Sequence, residues 1–173
     1  MASILNVDQI GHSTSGTTAL TIDSSGRILT PARPAFCVKW STSQTSVSGT
    51  NWNRLNFDEE VFDTGNNVSS AVFTTPVAGV YQFNLSSRFD LVGTGFFIIA
   101  LMNHASTSES VSDLFNTSYR ISGSPSPAYE QLHSSITIYL PVNYVVAPWY
   151  YNSSDTSYNL LEAGGHFSGF LVG

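Results

Sequence analysis

Few side chains in this chain are of the kinds that do chemistry, and their spacing narrows what that chemistry can be. Asp58, Glu59, Glu60 and Asp63 form the one acidic cluster, flanked by Phe57 and Phe62. Carboxylate oxygens in that number suit Ca²⁺. The D-x-D-x-D-G spacing of a calcium loop is missing, however, so the cluster reads as a solvated edge or loop. His12, His104, His133 and His166 stand in no H-E-x-x-H or Cys/His arrangement, which leaves metal catalysis without a ligand set. A Ser-His-Asp triad assembles from distant segments and is not excluded by spacing. Yet no G-x-S-x-G turn occurs, and Gly93-Thr-Gly95 and Gly164-Gly165 fit neither the dinucleotide nor the phosphate-loop pattern. The expectation is a non-enzyme with no catalytic residue, no metal and no cofactor. Cys37 is the single cysteine, which rules out an intrachain disulfide; between Phe36 and Val38 it is expected to be a buried thiol.

A second set of residues suits binding. Trp149, Tyr150, Tyr151, Asn152, Asp155, Tyr158 and Asn159 crowd aromatic faces and amides into eleven positions. A sugar ring presents apolar C–H patches beside hydroxyls, so Trp149, Tyr151, Asn152 and Tyr158 are candidates for a ligand loop that binds a sugar. The competing reading makes Tyr144 to Tyr150 a strand whose rings fill the core, with only Asn152 to Asn159 as an exposed loop.

Composition limits the partners. The chain has 173 residues, 42% hydrophobic and only 10% charged, with Ser and Thr making up about a quarter. That length buries one ordinary core. A net charge of −6 with six scattered Lys and Arg argues against nucleic acid, whose affinity is built from clustered cations. No stretch approaches the roughly 20 apolar residues of a membrane helix, so no membrane insertion is expected. Residues 1–30 lack the basic start and apolar run of a secretory signal, which points to synthesis in a cytoplasm. The Asn-x-Ser/Thr patterns at Asn67, Asn84, Asn116 and Asn152 then follow from Ser/Thr-rich composition and carry no weight.

The elements that must position these residues read as all-β. Tyr81, Phe83 and Leu85 alternate with Gln82, Asn84 and Ser86; Ile136, Ile138 and Leu140 alternate with Thr137 and Tyr139; Phe36, Val38 and Trp40 repeat the pattern. A period of two is that of half-buried strands. Short strands separated by Gly, Pro, Asn and Ser, with no segment of period 3.6, predict an antiparallel β-sandwich or barrel. Residues 1–33 differ, being small and polar up to Pro31 and Pro34, and read as an N-terminal arm and linker before a head of residues 34–173. Within the arm, Leu20 and Ile22 face Ile28 across Asp23-Ser-Ser-Gly26, a β-hairpin with little to bury. Such a ribbon is marginal alone and needs a docking surface; Ile4, Val7, Ile10, Leu20, Ile22 and Ile28 are its anchoring candidates.

Two segments break the alternation. Phe96 to Met102 and Phe167 to Val172 are apolar on both faces, which an isolated antiparallel sandwich tolerates poorly because one face meets water. Either a long loop or the arm covers the second face, or a subunit interface does. Val72 to Phe83 (VFTTPVAGVYQF), with its strand, Thr-Pro turn, Gly corner and aromatic strand, resembles the jelly roll of complement globular heads and tumour-necrosis-factor-like trimers; Phe167 to Val172 (FSGFLV) resembles its closing strand. The resemblance covers roughly residues 34–173. It implies a homotrimeric jelly roll, with Phe96, Phe97, Ile99, Leu101, Phe167, Phe170 and Val172 at the trimer interface. The arm, with Ile4-Leu-Asn-Val-Asp-Gln-Ile10, resembles the N-terminal arms of tailed-phage structural and fibre proteins, notably of marine and cyanobacterial phages. Together these imply a bacteriophage virion structural protein: a short fibre, knob or capsid decoration protein whose arm binds other virion proteins. The alternative is a receptor-binding tail-fibre head that recognises a host glycan. A secreted complement-like protein is disfavoured by the absent signal.

Overall fold

A computed structural model describes residues 7–47, 51–91, 95–103, 114–122, 128–153 and 158–173, and among them no helix occurs. The chain runs through β1 (Gln9–Gly11), β2 (Thr18–Ile22), β3 (Ile28–Leu29), β4 (Ala35–Lys39), β5 (Gln44–Val47), β6 (Trp52–Arg54), β7 (Glu59–Asp63) and β8 (Val68–Ser69). It continues through β9 (Val72–Thr74), β10 (Gly79–Leu91), β11 (Gly95–Met102), β12 (Leu114–Ser122), β13 (Ala128–Leu140), β14 (Val145–Asn152) and β15 (Tyr158–Leu171). Two six-stranded antiparallel sheets form the head. The first has the order β13-β10-β15-β4-β7 with β5 also on β15; the second has the order β12-β11-β14-β9-β8 with β6 on β14.

The period of two decides which side chains meet. On β10, Tyr81, Phe83, Leu85 and Phe89 are all but fully buried, while Gln82, Asn84 and Arg88 between them are not. Phe36 and Val38 enter from β4, Trp40 from just past its end and Phe167 from β15; Phe97, Ile99 and Leu101 enter from β11 and Val146 and Tyr150 from β14. The result is a core of stacked and edge-on rings: Phe36 has its centroid 4.8 Å from those of both Phe73 (stacked) and Phe167 (edge-on), and Phe89 stacks on Phe97 at 4.1 Å. Rings so arranged gain about 0.5–1.5 kcal/mol per pair beyond their buried area. Such packing leaves no room on the closing strand. A Cβ at Gly169 would stand 2.6 Å from Phe83 Cδ1 and 2.8 Å from Phe36 Cε1, and one at Gly165 would stand 2.4 Å from the Trp40 ring.

The Thr-Pro turn has a specific task. Thr75, fully buried, donates its hydroxyl to Pro141 O at 2.6 Å and accepts from Tyr144 N at 2.7 Å. One side chain thereby joins the end of β9 to the turn between β13 and β14. Just beyond, the Tyr81 hydroxyl donates to Val77 O at 2.7 Å, closing the Gly corner back on itself.

Within the segment expected to be an arm, β1, β2 and β3 form a separate three-stranded sheet. Ile22 pairs with Ile28 around the Asp23–Gly26 turn, where Gly26 has φ of 76° and the Asp23 carboxylate accepts from Ser25 N and Arg27 N. The sequence segment before the hairpin supplies the third strand, with Ile10 against Leu20. Ile10, Ile28 and Leu29 remain about half exposed or more, because among the described residues no second layer packs on these three short strands. Val7 and Ile22 are partly buried; Ile4 lies outside the described residues.

Candidate interaction surface

The outward face of the first sheet is built from the opposite phase of the strands that fill the core. Reading the register across β4, β15, β10 and β13, one row is Ala35, Phe170, Gln82 and Thr137, and the next is Cys37, Ser168, Asn84 and Ser135. Above them, Val80 pairs with Tyr139, and Val172 N donates to Val80 O at 2.7 Å. None of these residues carries a formal charge. Phe170 and Val172 are each 45% exposed and Tyr139 is 65% exposed. The polar members satisfy one another: Gln82 Nε2 donates to Ser135 Oγ at 2.7 Å, Ser135 Oγ donates to Asn84 Oδ1 at 2.9 Å, and the Thr137 hydroxyl donates to Gln82 Oε1. A face that is uncharged, partly aromatic and internally hydrogen-bonded needs little from water and resembles the centre of a protein interface.

The structure divides the residues expected at a subunit interface. Phe96, Phe170 and Val172 point outward and are exposed. Phe97, Ile99, Leu101 and Phe167 do not: each is at most 1% exposed within a single chain, because they share the inward phase of β11 and β15. They are core residues and cannot meet a neighbour. The second face of β11 is also largely closed inside the chain, where Ala100 and Met102 form a separate buried cluster with Ala147 and Trp149, flanked by Trp52 and Val72. For that strand, intrachain cover explains the broken alternation; for β15 the outward residues stay in water.

Cys37 also differs from expectation. Phe36 and Val38 take the inward positions, leaving Cys37 half-buried on the outward face, its thiol pKa pushed up by that burial. Toward the other end of this face, Ser86 pairs with His166 on β15 and His133 on β13, placing two imidazoles on either side of one serine. Burial, and then the proximity of His133, lower the proton affinity of His166. The Ser86 hydroxyl is occupied, donating to Gly164 O at 2.7 Å where β15 bulges.

The expected ligand loop does not survive as a surface. Trp149 and Tyr158 are each 1% exposed and Asn152 is fully buried, because β14 extends through Asn152 and β15 starts at Tyr158. Tyr158 packs edge-on against Phe97 with centroids 6.0 Å apart. Asp155 lies outside the described residues. Only Tyr151 keeps a partly open ring, stacked on Phe96 at 5.7 Å and beside Trp52 at 5.6 Å. Trp52 was not singled out in the sequence, since its three-residue strand is too short to show a period; its position comes from pairing with Tyr151 across β14. Among the described residues no three His, Cys, Asp or Glu side chains gather where they could hold a metal ion.

No family model and no curated protein matches the sequence. Solved structures do. Murine APRIL at pH 5.0 superposes with a TM-score of 0.60 at 10% identity, over 81% of this chain and 99% of that one. The same murine protein at pH 8.0 and at pH 8.5 gives TM-scores of 0.57 and 0.55, at 9% and 10% identity, with the same coverage of both chains. At such identity the likeness is one of fold, and together with the two antiparallel sheets it makes this chain an antiparallel jelly-roll β-sandwich of the kind seen in murine APRIL.

Proposed function

We propose that this chain is a non-enzymatic structural component of a bacteriophage virion. It forms a homotrimeric jelly-roll head, as a short fibre, knob or capsid decoration protein, held to other virion proteins by arm residues 1–33. The observation that carries the reading is the uncharged end of the first sheet's outward face, where Phe170, Val172 and Tyr139 are left in water by the single chain. Monomers seldom leave such a contiguous face open, and a closed symmetric assembly buries it on every copy at once. The arm supports the second half of the proposal. Its sheet exposes Ile10, Ile28 and Leu29, with no covering layer among the described residues.

The test is the mass and location of the intact protein. Light scattering is expected to give three times the 18.7 kDa protomer mass, and quantitative mass spectrometry of purified virions to find the chain in multiples of three. A monomer in solution, or a protein absent from virions, would refute the proposal.

A further inference from the structure

β6 has only three residues, yet it borders two grooves. One, of about 390 Å³, is lined by Gln44, Asn51, Trp52, Asn53 and Arg54. The other, of about 480 Å³, begins at the same Arg54 and Asn56 and runs on to Asp58 and Glu60. The amides are already fixed. Asn53 Nδ2 donates to Asn51 O at 2.8 Å, Arg54 Nε donates to Asn56 Oδ1 at 2.7 Å, and Gln44 Nε2 donates to Asn56 O at 3.3 Å. Beside the first groove lies a row of rings on the outward face of the sheet. Trp52 packs against Tyr151 at 5.6 Å, and Tyr151 stacks on Phe96 at 5.7 Å with an interplanar angle of 16°. Both Trp52 and Tyr151 are partly open to solvent, and Phe96 is 38% exposed.

We infer that the β6 groove binds a neutral oligosaccharide, with the Trp52 and Tyr151 rings against the apolar C–H face of a pyranose and the groove amides on its hydroxyls. Ring faces take C–H patches, and preset amides exchange hydrogen bonds with hydroxyls in either direction without reordering. The charge pattern selects a neutral sugar. The Asp58 carboxyl is held ionised by the Ser41 amide and hydroxyl that donate to it at 2.8 Å each. Glu60 lines the same second groove, adjoining the first, and these two carboxylates with the chain's net charge of −6 outweigh the Arg54 cation that borders both grooves, so an acidic saccharide is repelled. This site joins β6 of the second sheet to Gln44 of β5, at the end of β15 opposite Phe170 and Val172, and does not depend on the face proposed for self-assembly.

The experiment probes the full-length protein on an array of neutral oligosaccharides and their sialylated or uronic counterparts, with titrations followed by tryptophan fluorescence. The wild type is expected to bind neutral members in preference to acidic ones. Trp52→Ala should weaken binding about tenfold or more, while Trp52→Phe, which keeps a ring, retains most of it. Gln44→Ala is the second arm, because Gln44 is only partly buried and its loss leaves the core untouched; it should weaken binding about fivefold with an unchanged melting temperature. Three results would overturn the inference. They are no binding of any neutral saccharide at millimolar concentration, a preference for acidic sugars, or Gln44→Ala and Trp52→Phe both binding as the wild type while a folded Trp52→Ala does so too. Each can occur with the trimer mass unchanged, so failure here is separable from failure of the assembly.

Discussion

His166 shows how a single residue's surroundings set a property of the whole chain. It is partly buried on the outward face, with His133 across Ser86 and Lys39 beside it in register on β4, the latter ion-paired to Glu59 at 3.0 Å. Burial and His133 both disfavour its protonated form in the folded state. The unfolded chain takes up that proton near the ordinary histidine value of about 6.5, so below this pH the unfolded state binds more protons than the folded one. Stability is therefore complete above about pH 6.5 and declines as pH falls from there toward the lowered folded value. The melting temperature should fall between pH 7.5 and pH 5, and His166→Gln should flatten that slope in a calorimetric series. Parallel slopes for the two proteins would mean that His166 is not its source.

Among the described residues, the three-stranded N-terminal sheet and the two six-stranded sheets are joined by little. The junction described at residue level is the Arg33 guanidinium, which donates to Val172 O at 2.7 Å, beside Leu171 N donating to Pro34 O at 3.0 Å. Both bonds are kept when residues 1–32 are removed. The truncated head is thus expected to melt cooperatively within a few degrees of the full chain, while failing to enter virions when it replaces the full protein during assembly. A head that no longer folds cooperatively would show that the arm belongs to its core, contrary to the exposed Ile10, Ile28 and Leu29.

At the scale of the molecule, the two phases of a strand should carry separate functions. Phe97 is 1% exposed and stacks on Phe89 and Tyr150, so Phe97→Asp places an unpaired charge in the core at a cost of about 3–5 kcal/mol or more. Loss of cooperative folding is expected. Phe170 is 45% exposed on the outward face, so Phe170→Asp should leave a folded chain with an unchanged circular dichroism spectrum. It should sediment as a monomer, because the charge is buried only when copies meet. If Phe170→Asp remains trimeric, the assembly uses some other surface.

Much of this was decided locally and so was legible in the sequence. Alternation at Tyr81, Phe83 and Leu85 and at Ile136, Ile138 and Leu140 follows from the pleat of a strand, which needs only neighbouring residues, and it fixed both the all-β class and the inward positions. The Asp23–Gly26 turn was visible for the same reason, its geometry being written in four adjacent residues. What could not be read is whatever depends on which strand lies beside which. Phe97, Ile99, Leu101 and Phe167 are as apolar as Phe96, Phe170 and Val172, and only the stacking of two sheets tells the buried phase from the open one. Trp149, Asn152 and Tyr158 look like a ligand surface in sequence and are buried because β14 and β15 extend into that region. Trp52 and Tyr151 are 99 positions apart in the chain, and their meeting across β6 and β14 is a fact of register, which tertiary structure alone supplies.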